Sequence, residues 1–202
     1  MSVTGASVPA MSFTALWVLL PLTAADVERF APLVHPVLAE HAGQPGIRDL
    51  RRRWEAGELG VADWNAFMEL TGACPLDDHL DVFMDVCDAY DQGDPYLAAS
   101  ARKGYPIAGL AHGLGPERFA GLPGWFGDFL LTPAEAKAAL PAVEAVFDLD
   151  DAERERVLRR APEALTEGFG AHEPEALLDG MVPFWCSVVR AGKGLFAAQV
   201  TP

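Results

Sequence analysis

Residues 174–200, PEALLDGMVPFWCSVVRAGKGLFAAQV, decide the fold. Leu177, Leu178, Met181, Val182, Phe184, Trp185, Val188 and Val189 recur at the i, i+3, i+4, i+7 spacing of a helix buried over most of its surface. The following RAGKG, residues 190–194, supplies a basic last turn and the glycines of a C-terminal stop. Residues 195–200 then read as a short strand. Only one other segment looks equally strand-like: residues 12–20, SFTALWVLL, an apolar run of strand length that ends at Pro21. Pairing the two termini is the simplest arrangement that uses both. The sequence therefore predicts an α+β domain, mostly helical, with a small sheet that includes the N- and C-terminal strands.

Working inward, residues 1–11 are small, polar and aperiodic, and read as a flexible tail ahead of one globular domain over residues 12–202. Thr23 and Asp26 resemble a capping box and open a helix to about His41, which Pro32 and Pro36 are expected to break or kink. Further helices are expected over 47–59, 61–70 and 77–92. In the last of these, Leu80, Phe83, Met84 and Cys87 form the expected buried stripe, with Asp78, Asp81, Asp85 and Asp88 opposite. Thr132, Pro133 and Glu135 start a capped helix to about Phe147, with Pro141 an expected interruption. Residues 150–160 read as a charged surface helix and 162–170 as a turn, after which His172 and Glu173 cap the closing helix. Residues 104–131 differ: seven glycines and five aromatics occur there without steady periodicity. Such a stretch is expected to be a pocket wall or otherwise functional.

The balance of 29 acidic to 15 basic residues gives a formal charge of -14 and a pI near 4.6. That field repels phosphate backbones and anionic lipid, so neither nucleic acid nor membrane is an expected partner. No apolar run reaches the roughly 18 residues of a spanning helix. Residues 13–25 are apolar enough for a secretory signal, but the first basic side chain is Arg29, which argues against one. Cys74, Cys87 and Cys186 cannot all pair, and reduced thiols in a cytoplasmic protein are expected. A composition rich in Ala, Gly, Pro, Arg and Asp with few Lys is that of a bacterial chain.

The candidate catalytic residues are His112 and Asp128. His112 lies in the glycine-rich stretch near Glu117, Arg118 and Asp128, and a histidine beside a carboxylate is a usable general base near neutral pH. Tyr105, Trp125 and Phe129 are candidate ligand-binding residues, able to line an apolar pocket or equally to fill the core. Asp77, Asp78 and Asp81 match a magnesium-diphosphate pattern, yet they sit opposite an apolar stripe at a helix start and lack a second metal motif, so no metal is expected. Gly113 and Gly115 lack the third glycine and preceding strand of a dinucleotide loop, so no cofactor is expected either. GxSxG and HExxH are absent.

Two classes of function remain. One is a cytoplasmic binding or interaction module, to which the acidity and the missing catalytic signatures point. The other is a small-molecule enzyme with an apolar pocket and His/Asp acid-base chemistry. An enclosed cavity bordered by Trp125, Phe129 and an inward His112 favours the enzyme, and a filled core with those groups dispersed favours the binder.

FLLTPAE at residues 129–135, a proline-led helix start, and the apolar pairs Leu177-Leu178 and Phe184-Trp185 closing as AGKGLF at 191–196 resemble a bacterial family of uncharacterised YfbM-like proteins. The resemblance implies a chain that begins with a strand and a helix and closes with a strand. That family has no established activity, so the resemblance implies no site residue.

Overall fold

The computed structural model describes residues 13–169 and 174–201. The expected tail at 1–11 and the expected cap at His172 and Glu173 lie outside them. The expected architecture is present: a mostly helical α+β fold around one antiparallel sheet. Its strands are β1 (Thr14–Leu22), β2 (Leu97–Arg102), β3 (Phe129–Leu131) and β4 (Gly194–Val200), in the order β2-β1-β4-β3. The two terminal strands are the central pair, in register from Leu16 with Val200 to Leu22 with Gly194. Both are apolar but for Thr14 and Gln199 because helices cover both faces, which is why they read as continuous runs rather than alternating ones. Pro21 lies within β1 instead of ending it. The last β1–β2 pair is Leu19 with Leu97, so one side of the strand is an edge at Pro21 and tolerates a residue without an N–H.

Helices α1 (Ala24–Gly43) and α4 (Leu80–Ala89) cover one face, packing Val27, Phe30, Val34, Phe83 and Val86 against Val18, Leu20, Phe196 and Ala198. The other face carries α2 (Pro45–Glu55), α3 (Trp64–Thr71), α5 (Pro106–Phe119), α6 (Pro133–Phe147), α7 (Asp151–Arg160) and α8 (Pro174–Arg190), around Trp17, Leu19, Leu195 and Ala197. Two indole donors pin this larger layer. Trp185 Nε1 donates to the Ala136 carbonyl at 2.8 Å and Trp17 Nε1 to the Gly127 carbonyl at 3.0 Å. Among the described residues no helix is long and apolar enough to cross a membrane.

Four local expectations are corrected. Pro32 and Pro36 stay inside α1 and Pro141 inside α6. Each is exposed, and so are Glu28 and Lys137, four residues ahead of Pro32 and Pro141, so a carbonyl left without its partner faces water. The stretch at 104–131 is irregular only in part: residues 106–119 form α5, kinked at Gly115 (φ 77) before Pro116, while residues 120–128 are turns. Nearly every residue from Pro106 to Gly115 is buried, and a helix buried all round has no amphipathic period to detect. On α4, Phe83 and Val86 face the core, while Leu80 and Met84 stand 37% and 55% exposed. The remaining correction is to the strands: beyond the two read from the sequence, β2 joins the sheet by pairing with β1, although its LAASAR sequence favours a helix.

Candidate functional site

The buried helix α5 presents His112 at the wall of an open cleft of about 470 Å³. Opposite it run the end of α2, at Trp54, and a loop that turns at Gly57 (φ 73) before Leu59, Gly60 and Val61. Phe67 of α3 closes the floor, with its ring edge-on to the imidazole at 6.1 Å. His112 Nε2 lies 3.1 Å from Glu163 Oε2, on the 3-10 turn Ala161–Ala164 that follows α7. An ionised carboxylate only accepts, so in this pair Nε2 is the donor. Arg160, the last residue of α7, completes the wall, and no acidic partner pairs with it among the described residues. Close approach makes this geometry possible. A Cβ on Gly109 would meet the Ala161 carbonyl at 3.2 Å, and one on Gly113 would meet Val157 and Ala161 at 3.1 Å, so α5 lies hard against α7 and the Glu163 turn.

Asp128 takes a different place. It closes a tight turn in which Trp125 and Asp128 exchange both backbone hydrogen bonds at 2.9 Å, with Phe126 (φ 42) and Gly127 (φ 86) in the left-handed region. Its side chain points inward and accepts from the Gln199 backbone amide at 2.7 Å. Gln199 is the hub: its Oε1 accepts from the Ile107 amide at 3.1 Å, and its Nε2 donates to the carbonyls of Thr71 and Ala73. Asp77 turns back to accept from the Thr201 amide at 2.9 Å and from the Thr201 hydroxyl. Burial holds the Asp128 carboxyl well above the usual carboxylate range, against the lowering effect of the Gln199 amide. Burial, with Asp77 and Asp128 nearby, likewise pushes up the Cys74 thiol. A thiol kept protonated is a poor nucleophile. This cluster ties β4 to β3, α3 and α5 through satisfied hydrogen bonds.

Of the five residues singled out from the sequence, the structure brings Asp128 and Tyr105 into this buried cluster. Tyr105 is half-buried, stacked at 5.4 Å on Phe13, and its hydroxyl is pushed up by burial and by the neighbouring Cys74 and Asp77. Phe129 packs on Trp185 at 5.6 Å within the core. Trp125 is also core, edge-on to His41 at 5.9 Å and covered by the Arg51 guanidinium at 5.1 Å. His112 alone lines the cleft, so Trp125, Phe129 and His112 are dispersed rather than gathered around one cavity. Sequence reasoning missed Arg160, Glu163, Trp54 and Phe67, which lie in four separate elements, and missed Gln199, whose one signal is a lone amide in the apolar run LFAAQV.

A second, more polar cleft of about 330 Å³ lies between the end of α1 and the turn before α4, lined by Glu40, His41, Cys74, Asp78 and His79. The His41 imidazole is held below its ordinary pKa by burial, and its Nε2 lacks a protein partner. Among the described residues no three His, Cys, Asp or Glu side chains are grouped to hold a metal. Asp77 of the acidic motif is engaged by Thr201 instead. No protein-family model, curated protein or solved structure matches the chain.

Proposed function

We propose that the protein is a cytoplasmic bacterial binding module whose ligand is a small molecule with an apolar body and an anionic head, seated in the His112 cleft. One observation carries this reading. Arg160 stands at the wall of a cleft whose other polar lining residues are Glu58 and His112, and it makes no ion pair among the described residues, in a chain whose acids outnumber its bases 29 to 15. A guanidinium left over from so large an excess of carboxylates is free for a ligand's carboxylate or phosphate, which it can grip with two parallel hydrogen bonds. Trp54, Leu59, Val61 and Phe67 offer the apolar contact, in the usual proportion of many apolar walls to few polar anchors. The three free, partly buried cysteines suit a reducing compartment. A closing strand beside an N-terminal strand and helix supports kinship with the YfbM-like proteins as part of the same proposal.

Thermal denaturation with hexanoate, octanoate and phenylacetate tests it. A ligand at a hundred times its Kd stabilises the folded state by about 2.7 kcal/mol, so the midpoint is expected to rise with one of these acids and not with chloride. Arg160→Gln is expected to remove the rise. A rise that survives in Arg160→Gln, or no rise with any acid, sinks the reading.

The His112–Glu163 pair in the same cleft favours a second reading, an enzyme in which His112 moves a proton on the bound acid. Under it, His112→Gln lowers turnover by about a hundredfold or more while the thermal shift persists. Asp128 lies in the buried Gln199 cluster, apart from that cleft.

A further inference from the structure

We infer that the outer face of α4 docks a basic, amphipathic helix of a partner protein. Leu80 and Met84, at i and i+4, fall on one exposed stripe of α4 that ends where Cys87 packs against the core, and Asp81, Asp85 and Asp88 form the stripe beside it. The core-facing residues are Phe83 and Val86, so the Leu80–Met84 stripe is not the one that holds α4 to the sheet. Met84 is 55% exposed and Leu80 37%, and Tyr96, edge-on to Tyr90 at 6.2 Å just beyond the helix, is 60% exposed. These are three of the five large apolar side chains that the described surface leaves exposed, and they sit within 17 residues of one another.

Charge decides the occupant. From Asp77 to Tyr96 the chain has seven aspartates and neither Lys nor Arg. Asp81, Asp85 and Asp88 make no ion pair among the described residues. Like charges at i, i+4 and i, i+3 destabilise a helix, and exposed Met and Leu leave apolar surface in water. A helix with Lys or Arg beside a Leu-rich stripe relieves both costs at once. A second copy of this chain does not, because it would set carboxylates against carboxylates. Methionine, unbranched and polarizable, suits a surface that receives a helical ligand.

The test titrates the full chain into a fluorescein-labelled 18-residue Leu/Lys peptide with leucines at i, i+3, i+4 and i+7, and reads anisotropy at low and at physiological salt. Binding is expected at both. Met84→Gln and the triple variant Asp81→Asn, Asp85→Asn, Asp88→Asn are each expected to weaken it at least tenfold. The same composition scrambled to break the stripe is expected to bind at least tenfold more weakly, and Glu144→Gln with Glu155→Gln is expected to have no effect. These substitutions are at exposed positions, and unchanged circular dichroism confirms that each variant folds. Binding that is equal for the scrambled peptide, or insensitive to Met84→Gln and to the Asp triple, overturns the proposal, as does no binding at low salt. A dimer that Met84→Gln dissociates in sedimentation assigns the face to a second copy and overturns it too. Arg160 and His112 are not on α4, so none of these outcomes bears on the cleft.

Discussion

Asp128 shows how one residue can be legible by type and illegible by role. Its position beside glycines and aromatics in the sequence suggests acid-base chemistry, yet its carboxyl is buried against the Gln199 amide, and burial raises its pKa well above the usual carboxylate range. A carboxyl whose folded pKa is raised binds its proton more tightly in the folded state, so its contribution falls as pH rises above the unfolded value of about 3.9. The loss runs at up to about 1.4 kcal/mol per pH unit until the folded pKa is reached. Asp128→Asn keeps a side-chain oxygen for the Gln199 amide and removes the ionisation. Its melting temperature is expected to decline less between pH 5 and pH 8 than that of the parent protein. Parallel curves across that range would show that Asp128 is ionised in the folded state. Tyr105 was equally visible as a candidate, but Cys74, Thr71 and Gln199, its companions in the cluster, come from three other parts of the chain. Nothing local connects them.

At the scale of elements, what the sequence displays is capping. Thr132 and Glu135 form the reciprocal box at the start of α6, the threonine hydroxyl accepting from the Glu135 amide at 3.2 Å and the glutamate accepting from the Thr132 amide at 2.8 Å. Thr132→Ala is expected to cost about 1 kcal/mol in urea denaturation at neutral pH. A loss below about 0.3 kcal/mol would mean that packing of Trp185 on α6 fixes the helix start without the cap. The helix that carries His112 was not visible. An amphipathic helix announces itself by its polar side, and α5 has none over Pro106–Gly115 because α7, the Glu163 turn, α3 and β1 surround it. Its glycines, which suggest a loop, are with its alanines the small residues that such close packing needs. The outer face of α4 misleads in the opposite way. Leu80, Phe83, Met84 and Cys87 satisfy a helical period, but the period does not say which part of the apolar arc meets the sheet.

For the molecule as a whole, the central place of β4 carries the strongest consequence. β4 pairs with β1 over seven residues and with β3 over three, and its Gln199 gathers the polar cluster from α3, α5 and the Asp128 turn. A chain ending at Ala191 leaves β1 with only β2 as a neighbour and exposes apolar edges to water. It is expected to lose cooperative unfolding and to aggregate. Removing Thr201 and Pro202 takes away the Thr201–Asp77 contact and is expected to leave unfolding cooperative. A cooperative transition in the shorter chain, followed by circular dichroism, would show that the helices fold without the closing strand.

The two central strands are legible along the chain, because nine and seven residues of nearly unbroken apolar character can be satisfied only by burial on both faces. So are the capped helices and the net negative field, since caps and charges are read locally. Packing settles everything else. β2 and β3 are strands because neighbours pair with them, α5 is a helix whose period is erased by burial, and the cleft joins Trp54, Phe67, His112, Arg160 and Glu163 across more than a hundred residues of chain. Those assignments depend on which surfaces meet, and that is a property of the packed chain rather than of any window along it.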